Sequence, residues 1–272
     1  MCIPCDDIYH ASLTVLPLIK NHGSAGSAGS AISREGARYA TLCPENAKGE
    51  AGMKYRSVFD IIGPVMIGPS SSHTAGAVRI GQLARKLFGQ APEKADFHFF
   101  GSFARTYRGH ATDVAVLAGV LGLQADDPRI PEAYRLARAS GLTFAFHEEA
   151  AIPVHPNTVT IRLAAAEAAI TVTGISIGGG LVQISRVDGF DLRLTGEAPA
   201  LLIFHRDAYG AIASVTRLLA SAKINISHME VSRARRGQDA LMVIETDQPV
   251  NEEIVRLIQS QPHIFKTIKL EV

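Results

Sequence analysis

Residues 200–221, ALLIFHRDAYGAIASVTRLLAS, decide the fold of the C-terminal part of this 272-residue chain. The apolar run Leu201–His205 predicts a strand, and the segment Tyr209–Ser221 predicts a helix. The segments that follow are predicted as strand Ile224–Val231, strand Ala240–Thr246, helix Asn251–Ser260 and strand Phe265–Glu271. The resulting order, βαββαβ, is that of the ferredoxin-like arrangement, in which helices pack on one face of an antiparallel sheet.

Upstream, from Tyr55 to about Thr195, helical and strand-like segments alternate between Gly or Pro boundaries, which is typical of an α/β unit. Apolar residues recur with a helical period in 75–88 and in 110–121. The predicted strands are 95–100, 143–147, 158–163, 168–175 and 181–187, with the turn Gly178–Gly180 between the last two. We therefore predict an α+β protein with one domain at residues 53–196 and a second at 199–272.

The first 52 residues have a different composition from the rest of the chain. They include the linker-like tract GSAGSAGSA at residues 23–31, so we predict a disordered extension at 1–52 and folding from Met53. Cys2 and Cys5 form a C-x-x-C pair, but a zinc or iron–sulfur site needs about four ligands, and Cys43 completes no known pattern. We predict no metal site in this chain.

Composition excludes some classes of partner. The net charge of +1, from 27 Lys and Arg against 26 Asp and Glu, creates no field that would hold a polyanion, so we expect no nucleic-acid partner. No apolar run approaches the ~20 residues of a membrane helix, and the start lacks the basic-then-apolar layout of a secretory signal. We expect a cytoplasmic protein that does not associate with membranes.

The run IGPSSSHTAG, residues 67–76, contains the first candidate site residues. Hydroxyls and free N–H groups at a helix start favour a carboxylate or phosphate, because that end of the helix dipole is positive. The same dipole disfavours the charged form of His73, and a neutral imidazole is what a base needs at pH 7. The alternative is that Ser70, Ser71 and Ser72 only cap the helix and that His73 is a solvated bystander.

The run GSFARTYRGHATD, residues 101–113, contains the second group. His110 lies at a predicted helix start, and Asp113, three residues on, is expected on the same helical face. A carboxylate so placed would fix the tautomer of the imidazole and raise its basicity. The alternative is a surface His–Asp pair of little energetic value.

Two further motifs are weaker. His155-Pro-Asn157 precedes a predicted strand, and GISIGGG at residues 174–180 either lets the backbone approach a ligand or simply connects two strands. The glycine motif is not G-x-G-x-x-G, and a strand rather than a helix follows it, so NAD binding is disfavoured.

Taken together and in this order, the motifs at 70–74, 101–103, 109–113 and 155–157 resemble the β component of iron–sulfur-dependent L-serine dehydratases. The resemblance runs from Met53 to the C-terminus. Residues 200–272 resemble an ACT domain, a small amino-acid-sensing module. The 53–196 unit is also similar to the allosteric substrate-binding domain of phosphoglycerate dehydrogenases.

The resemblance implies a lyase of serine catabolism and gluconeogenesis that converts L-serine to pyruvate and ammonia as a heterodimer. It implies that a separate α subunit ligates a [4Fe–4S] cluster, because this chain has no cysteine after Cys43. A cluster iron that activates the leaving hydroxyl removes the need for a pyridoxal lysine.

The resemblance also implies roles for individual residues. His73 and His110 become acid–base candidates, and the sequence does not decide which one is the base. The implied substrate-binding residues are Ser70, Ser71, Ser72, Thr74, Asp113, His155 and Asn157. The implied ligand region of the ACT domain, for an amino-acid effector, is Asp207, Gly210, Asn225 and Ile226.

Two other classes of function remain open at this stage. The chain could be a regulatory binding module related to the allosteric and ACT domains of D-3-phosphoglycerate dehydrogenase, although it lacks the nucleotide-binding half of that enzyme. It could also be a free-standing amino-acid sensor. Both alternatives differ from the enzyme hypothesis in needing no cysteine-bearing partner.

Overall fold

The computed structural model describes residues 64–271. The predicted extension at 1–52, the predicted start of folding at Met53 and the 3 cysteines lie outside the described residues. The division into domains at 53–196 and 199–272 stays a prediction.

The first sheet has six strands in the order β2-β1-β3-β4-β5-β6. These strands are β1 (Lys94–Phe100), β2 (Thr143–Glu148), β3 (Asn157–Ala165), β4 (Ala168–Gly178), β5 (Leu181–Val187) and β6 (Phe190–Leu194). Only β1 and β2 are parallel, and every other neighbouring pair is antiparallel. The alternation of helices and strands therefore produced one parallel crossover within a mostly antiparallel sheet, and the α+β class is confirmed.

Helices cover one face of this sheet. They are α1 (Gly76–Phe88), α2 (Gly101–Thr106), α3 (Thr112–Val120) and α4 (Ala133–Ala139). Buried side chains alternate along β1 and β3, as expected for strands with one face toward a core. Helices α1 and α3 cross closely at glycines: a Cβ at Gly81 would lie 2.3 Å from the carbonyl oxygen of Val116, and one at Gly119 would lie 2.0 Å from that of Val78.

The second sheet has four strands in the order β10-β7-β9-β8, all antiparallel. Its elements are β7 (Ala200–Arg206), α5 (Ala211–Ser221), β8 (Ile226–Arg233), β9 (Asp239–Thr246), α6 (Glu252–Gln259) and β10 (Ile264–Leu270). The predicted βαββαβ order is confirmed. One sheet face packs on the two helices through a core that includes Ile203, Val215 and Ile258.

The opposite face of the second sheet packs against the core between α1 and the first sheet. Leu202, Phe204 and Val243 belong to the same buried cluster as the apolar side chains of α1 and the first sheet. The ring of Phe204 also meets Phe190 of β6 edge to face, with centroids 6.0 Å apart. The central strands β7 and β9 are therefore buried on both faces, and the two sheets share one of the two cores.

Candidate functional site

The candidate site lies at one end of the first sheet, where β1 and β4 end and β3 and β5 begin. The chain leaves β1 at Gly101, which pairs with Asn157 at the start of β3. The N–H of Ser102 then donates to the carbonyl of Pro156 over 2.7 Å. These backbone contacts bring the second and third sequence motifs together, although about fifty residues separate them along the chain.

The first motif reaches the same place through an irregular turn. Residues Ser71–Ala75 form a π-helical turn that leads into α1. Ser70 caps this turn, because its hydroxyl accepts the N–H of His73 over 3.1 Å. Single π-helical turns widen a helix locally and occur often at functional sites. The capping role that was expected of the serines is present at Ser70.

The imidazole of His73 lies between hydroxyls. Its Nδ1 is 3.5 Å from the Oγ of Ser70, and its Nε2 is 3.4 Å from the Oγ of Ser102. The edge of the ring packs against Phe103, with centroids 5.1 Å apart. Both ring nitrogens thus have a polar neighbour, and the ring has a fixed orientation.

His110 completes a pair of histidines. Its ring centroid is 4.8 Å from that of His73, and the planes meet at 80°. Burial lowers the pKa of His73, and the neighbouring charge of His110 lowers it further. Both effects favour the neutral imidazole that was expected of His73, and the causes are burial and the neighbouring His110.

Asp113 does not orient His110, which corrects the predicted His–Asp pair. Helix α3 begins at Thr112, and Ala111 before it has a left-handed backbone, so His110 and Asp113 do not share a helical face. The carboxylate of Asp113 is buried and accepts the hydroxyl of Tyr134 over 2.6 Å. Burial and this carboxylate raise the pKa of Tyr134, which keeps the hydroxyl protonated as a donor.

His155 and Asn157 hold the backbone at the start of β3, next to the site. The Nδ1 of His155 accepts the N–H of Asn157 over 3.2 Å, and the amide of Asn157 donates to the carbonyl of Ser176 over 3.4 Å. The hydroxyls of Thr74 and Ser176 are buried, and neither has a hydrogen-bond partner among residues 64–271. A Cβ at Gly76 would lie 2.2 Å from the Oγ of Ser176, so α1 begins directly against β4.

The remaining predicted substrate-binding residues, Ser71 and Ser72, are half-buried in the π-helical turn. Sequence reasoning assigned no role to Ser102 or Ser176, which the structure brings to the site. For Ser102 a signal existed, because it belongs to the quoted motif at 101–113 and follows a strand. For Ser176 none existed, because a serine within an apolar strand has no distinguishing pattern.

The predicted ACT ligand residues do not form one cluster within this chain. The carboxylate of Asp207 accepts the N–H of Gly237 over 2.9 Å and, less closely, Arg233, and these bonds lower its pKa. Gly210 is close by and precedes α5. Asn225 and Ile226 lie at the start of β8, whereas Arg233 ends it. The two halves of the predicted region are therefore about 25 Å apart, the length of the strand between them.

Within residues 64–271, no three His, Cys, Asp or Glu side chains are placed to hold a metal ion. The helices of the same part of the chain include none that is long and apolar enough to cross a membrane.

Comparison with known proteins agrees with this architecture. Residues 57–141 match the family model "Serine dehydratase beta chain", and residues 200–263 match "ACT domain". The chain is 52% identical to a probable L-serine dehydratase β chain of Bacillus subtilis, over 80% of this chain and 99% of the relative. The chain belongs to the family of L-serine dehydratase β chains.

Two more distant relatives are informative about length and fold. An L-serine dehydratase of Streptomyces coelicolor is 31% identical over 68% of this chain, but the match covers only 45% of that protein. A D-3-phosphoglycerate dehydrogenase of Bacillus subtilis is 25% identical over 71% of this chain and 37% of its own length. The predicted similarity to phosphoglycerate dehydrogenase domains is confirmed.

Proposed function

We propose that this chain is the β subunit of an L-serine ammonia-lyase and works with an α subunit that holds a [4Fe–4S] cluster. The observation that carries the proposal is the 52% identity to a β chain over 99% of that relative. The described residues include no cysteine and no group of metal ligands, so they do not fit a cluster. The proposal therefore assigns the cluster to the partner and derives no step through it.

The proposed reaction removes the α proton and the β hydroxyl of L-serine as water. The product, 2-aminoacrylate, tautomerises to an imine, and water then converts the imine to pyruvate and ammonia. A proton acceptor and groups that hold the substrate are the parts of this chemistry that a cysteine-free site can supply.

We assign the proton acceptor to His110 and the supporting role to His73. His110 is exposed at the end of the sheet, where substrate can reach it. His73 is half-buried behind it, and both of its nitrogens already face hydroxyls. A neutral His73 adds no charge next to His110, so it does not oppose protonation of the acceptor. Ser71 and Ser72 are assigned to the substrate carboxylate.

The test is reconstitution of pyruvate formation from this chain and its cysteine-bearing partner under anaerobic conditions. We expect the chain alone to be inactive and the complex to be active. His110→Ala should lower kcat by about 10²–10⁴-fold, the usual contribution of general acid–base catalysis. Pyruvate formation by this chain without iron or partner would refute the proposal, and normal kcat in His110→Ala would refute the assignment.

The C-terminal sheet is the second element of the proposal. We assign an amino-acid effector to the end of the sheet where Asp207 and Arg233 meet, three residues before Gly210 in the chain. The match to the ACT domain and the polar network around Asp207 support it. Isothermal titration of the purified chain with the standard amino acids tests it, and Asp207→Asn should weaken any binding found.

A further inference from the structure

The first sheet unit exposes its large apolar side chains at one end only. Within residues 64–196, all such side chains occur in three short segments, 65–67, 152–154 and 177–181. We call this set the apolar rim. Its members are Val65, Ile67, Ile152, Val154, Ile177 and Leu181.

Each rim segment adjoins a segment of the candidate site. The first precedes Ser70, the second precedes His155, and the third follows Ser176. The segments are also close in space: a Cβ at Gly180 would lie 2.8 Å from the ring of Pro64, and one at Gly101 would lie 3.2 Å from the ring of Pro153. The rim therefore lies beside the site that contains His73 and His110.

The rim extends over the open face of the sheet. Ile152, Val154 and Ile175 line a groove of about 410 Å³ together with polar side chains of β3, β4 and β5. Ile152 and Val154 have exposed fractions of 97% and 108%, so these two side chains are open to solvent at the border of the groove. Single exposed apolar residues are ordinary, but a group of them around a polar site is typical of a protein interface.

The lengths of the relatives indicate what covers the rim. This chain spans 99% of the Bacillus subtilis β chain, but its match spans only 45% of the Streptomyces coelicolor L-serine dehydratase. More than half of that longer protein therefore has no counterpart in the match. Where the protein occurs as a β chain, a second polypeptide must supply that part.

We infer that the apolar rim is the docking surface for this second polypeptide, which closes over the exposed His110 and completes the active site. The inference rests on the proposed function, since it takes its occupant from the proposed α subunit. Apolar side chains at the edge of the site would exclude water from the joined active site, as packed contacts around an interface centre do.

The experiment measures binding of the purified chain to the purified partner. The partner is the chain of the same organism that matches the part of the longer Streptomyces coelicolor enzyme without a counterpart here. The variant Ile152→Asp/Val154→Asp places charges in the rim, and Ile177→Asp tests a second segment. Leu257→Asp on α6 is the matched control, because Leu257 is also an exposed aliphatic residue but lies on the second sheet unit. We expect rim variants to bind at least about 30-fold more weakly and the control to bind normally.

Circular dichroism and thermal unfolding should be unchanged in the rim variants, because the replaced side chains are exposed. Rim variants that bind the partner within about 3-fold of the wild type would overturn the inference and leave the proposed function intact. Failure of the wild-type chain to bind the partner would instead overturn the proposed function. Two other outcomes would also overturn the inference. If the rim variants lose only self-association, the rim binds a second copy of this chain. If they show only faster proteolysis within residues 1–63, the rim binds this chain's own N-terminal segment.

Discussion

Replacing His110 with Asn should raise the pKa of His73. The two ring centroids are 4.8 Å apart, and two unit charges at that separation repel by about 1 kcal/mol at the dielectric constant of water and about 3.5 kcal/mol at an effective value of 20. His110 is exposed, so the smaller figure applies best. Burial, the larger cause of the lowered pKa, remains in the variant, so we expect a partial return toward the ordinary histidine value of 6.5.

The same change has a consequence for stability. Because the pKa of His73 is lower in the folded protein, the unfolded chain binds more protons as the pH falls below 6.5. The free energy of unfolding therefore decreases on acidification through that window. His110→Asn narrows the gap between the folded and unfolded pKa of His73, so the loss of stability attributable to His73 should be smaller.

The assay is an NMR titration of the His73 imidazole between pH 4.5 and 8, with urea unfolding at several pH values in the same range. His228→Asn is the control, because His228 is an exposed residue of β8 and is far from the site. An unchanged or lower pKa of His73 in His110→Asn would refute the argument that the two rings interact through charge.

Other substitutions test the remaining contacts. Ser102→Ala removes the hydroxyl beside the Nε2 of His73, and kcat of the reconstituted enzyme should fall about 2- to 10-fold and recover partly in Ser102→Thr; an unaltered kcat would remove Ser102 from the site. Tyr134→Phe removes one of the two donors to the buried carboxylate of Asp113 and leaves it the N–H of Val114, so it should cost about 1.5–3 kcal/mol in urea unfolding, whereas a neutral result would contradict that bond. Ala111→Gly should raise the free energy of unfolding by up to about 1 kcal/mol, and lower stability would show that the left-handed backbone is not strained.

The order of elements in the second sheet could be predicted because each element is signalled locally. The run from 200 to 221 changes from a continuous apolar strand to a helical period within a few residues, and β9 and α6 are equally distinct. The first sheet was harder to predict. Strand β6 was missed because Phe190–Leu194 is short and carries charged residues, and α2 was missed because six residues are too few to show a helical period.

The site could be predicted only in part, because its contacts join distant segments. The sequence placed His73 and His110 in separate motifs, and nothing in their spacing shows that the rings meet. The Ser102 contact with His73 spans 29 residues. The predicted His110–Asp113 pair depended on an unbroken helix, and one left-handed residue between them invalidated it.

Several residues of the site share a physical property that sequence patterns do not show: each departs from the regular backbone or from full hydrogen bonding. The turn at Ser71–Ala75 is π-helical, Ala111 has φ 54°, and the buried hydroxyls of Thr74 and Ser176 lack partners within residues 64–271. Each departure costs free energy, so a sequence selected for stability alone would remove it. The turn Ser71–Ala75 contains His73, Ala111 follows His110, and Ser176 lies against the start of α1. A substitution that removes one of these irregularities should therefore raise the free energy of unfolding and shift the imidazole of His73 or His110. The geometry of the site depends on the irregular backbone.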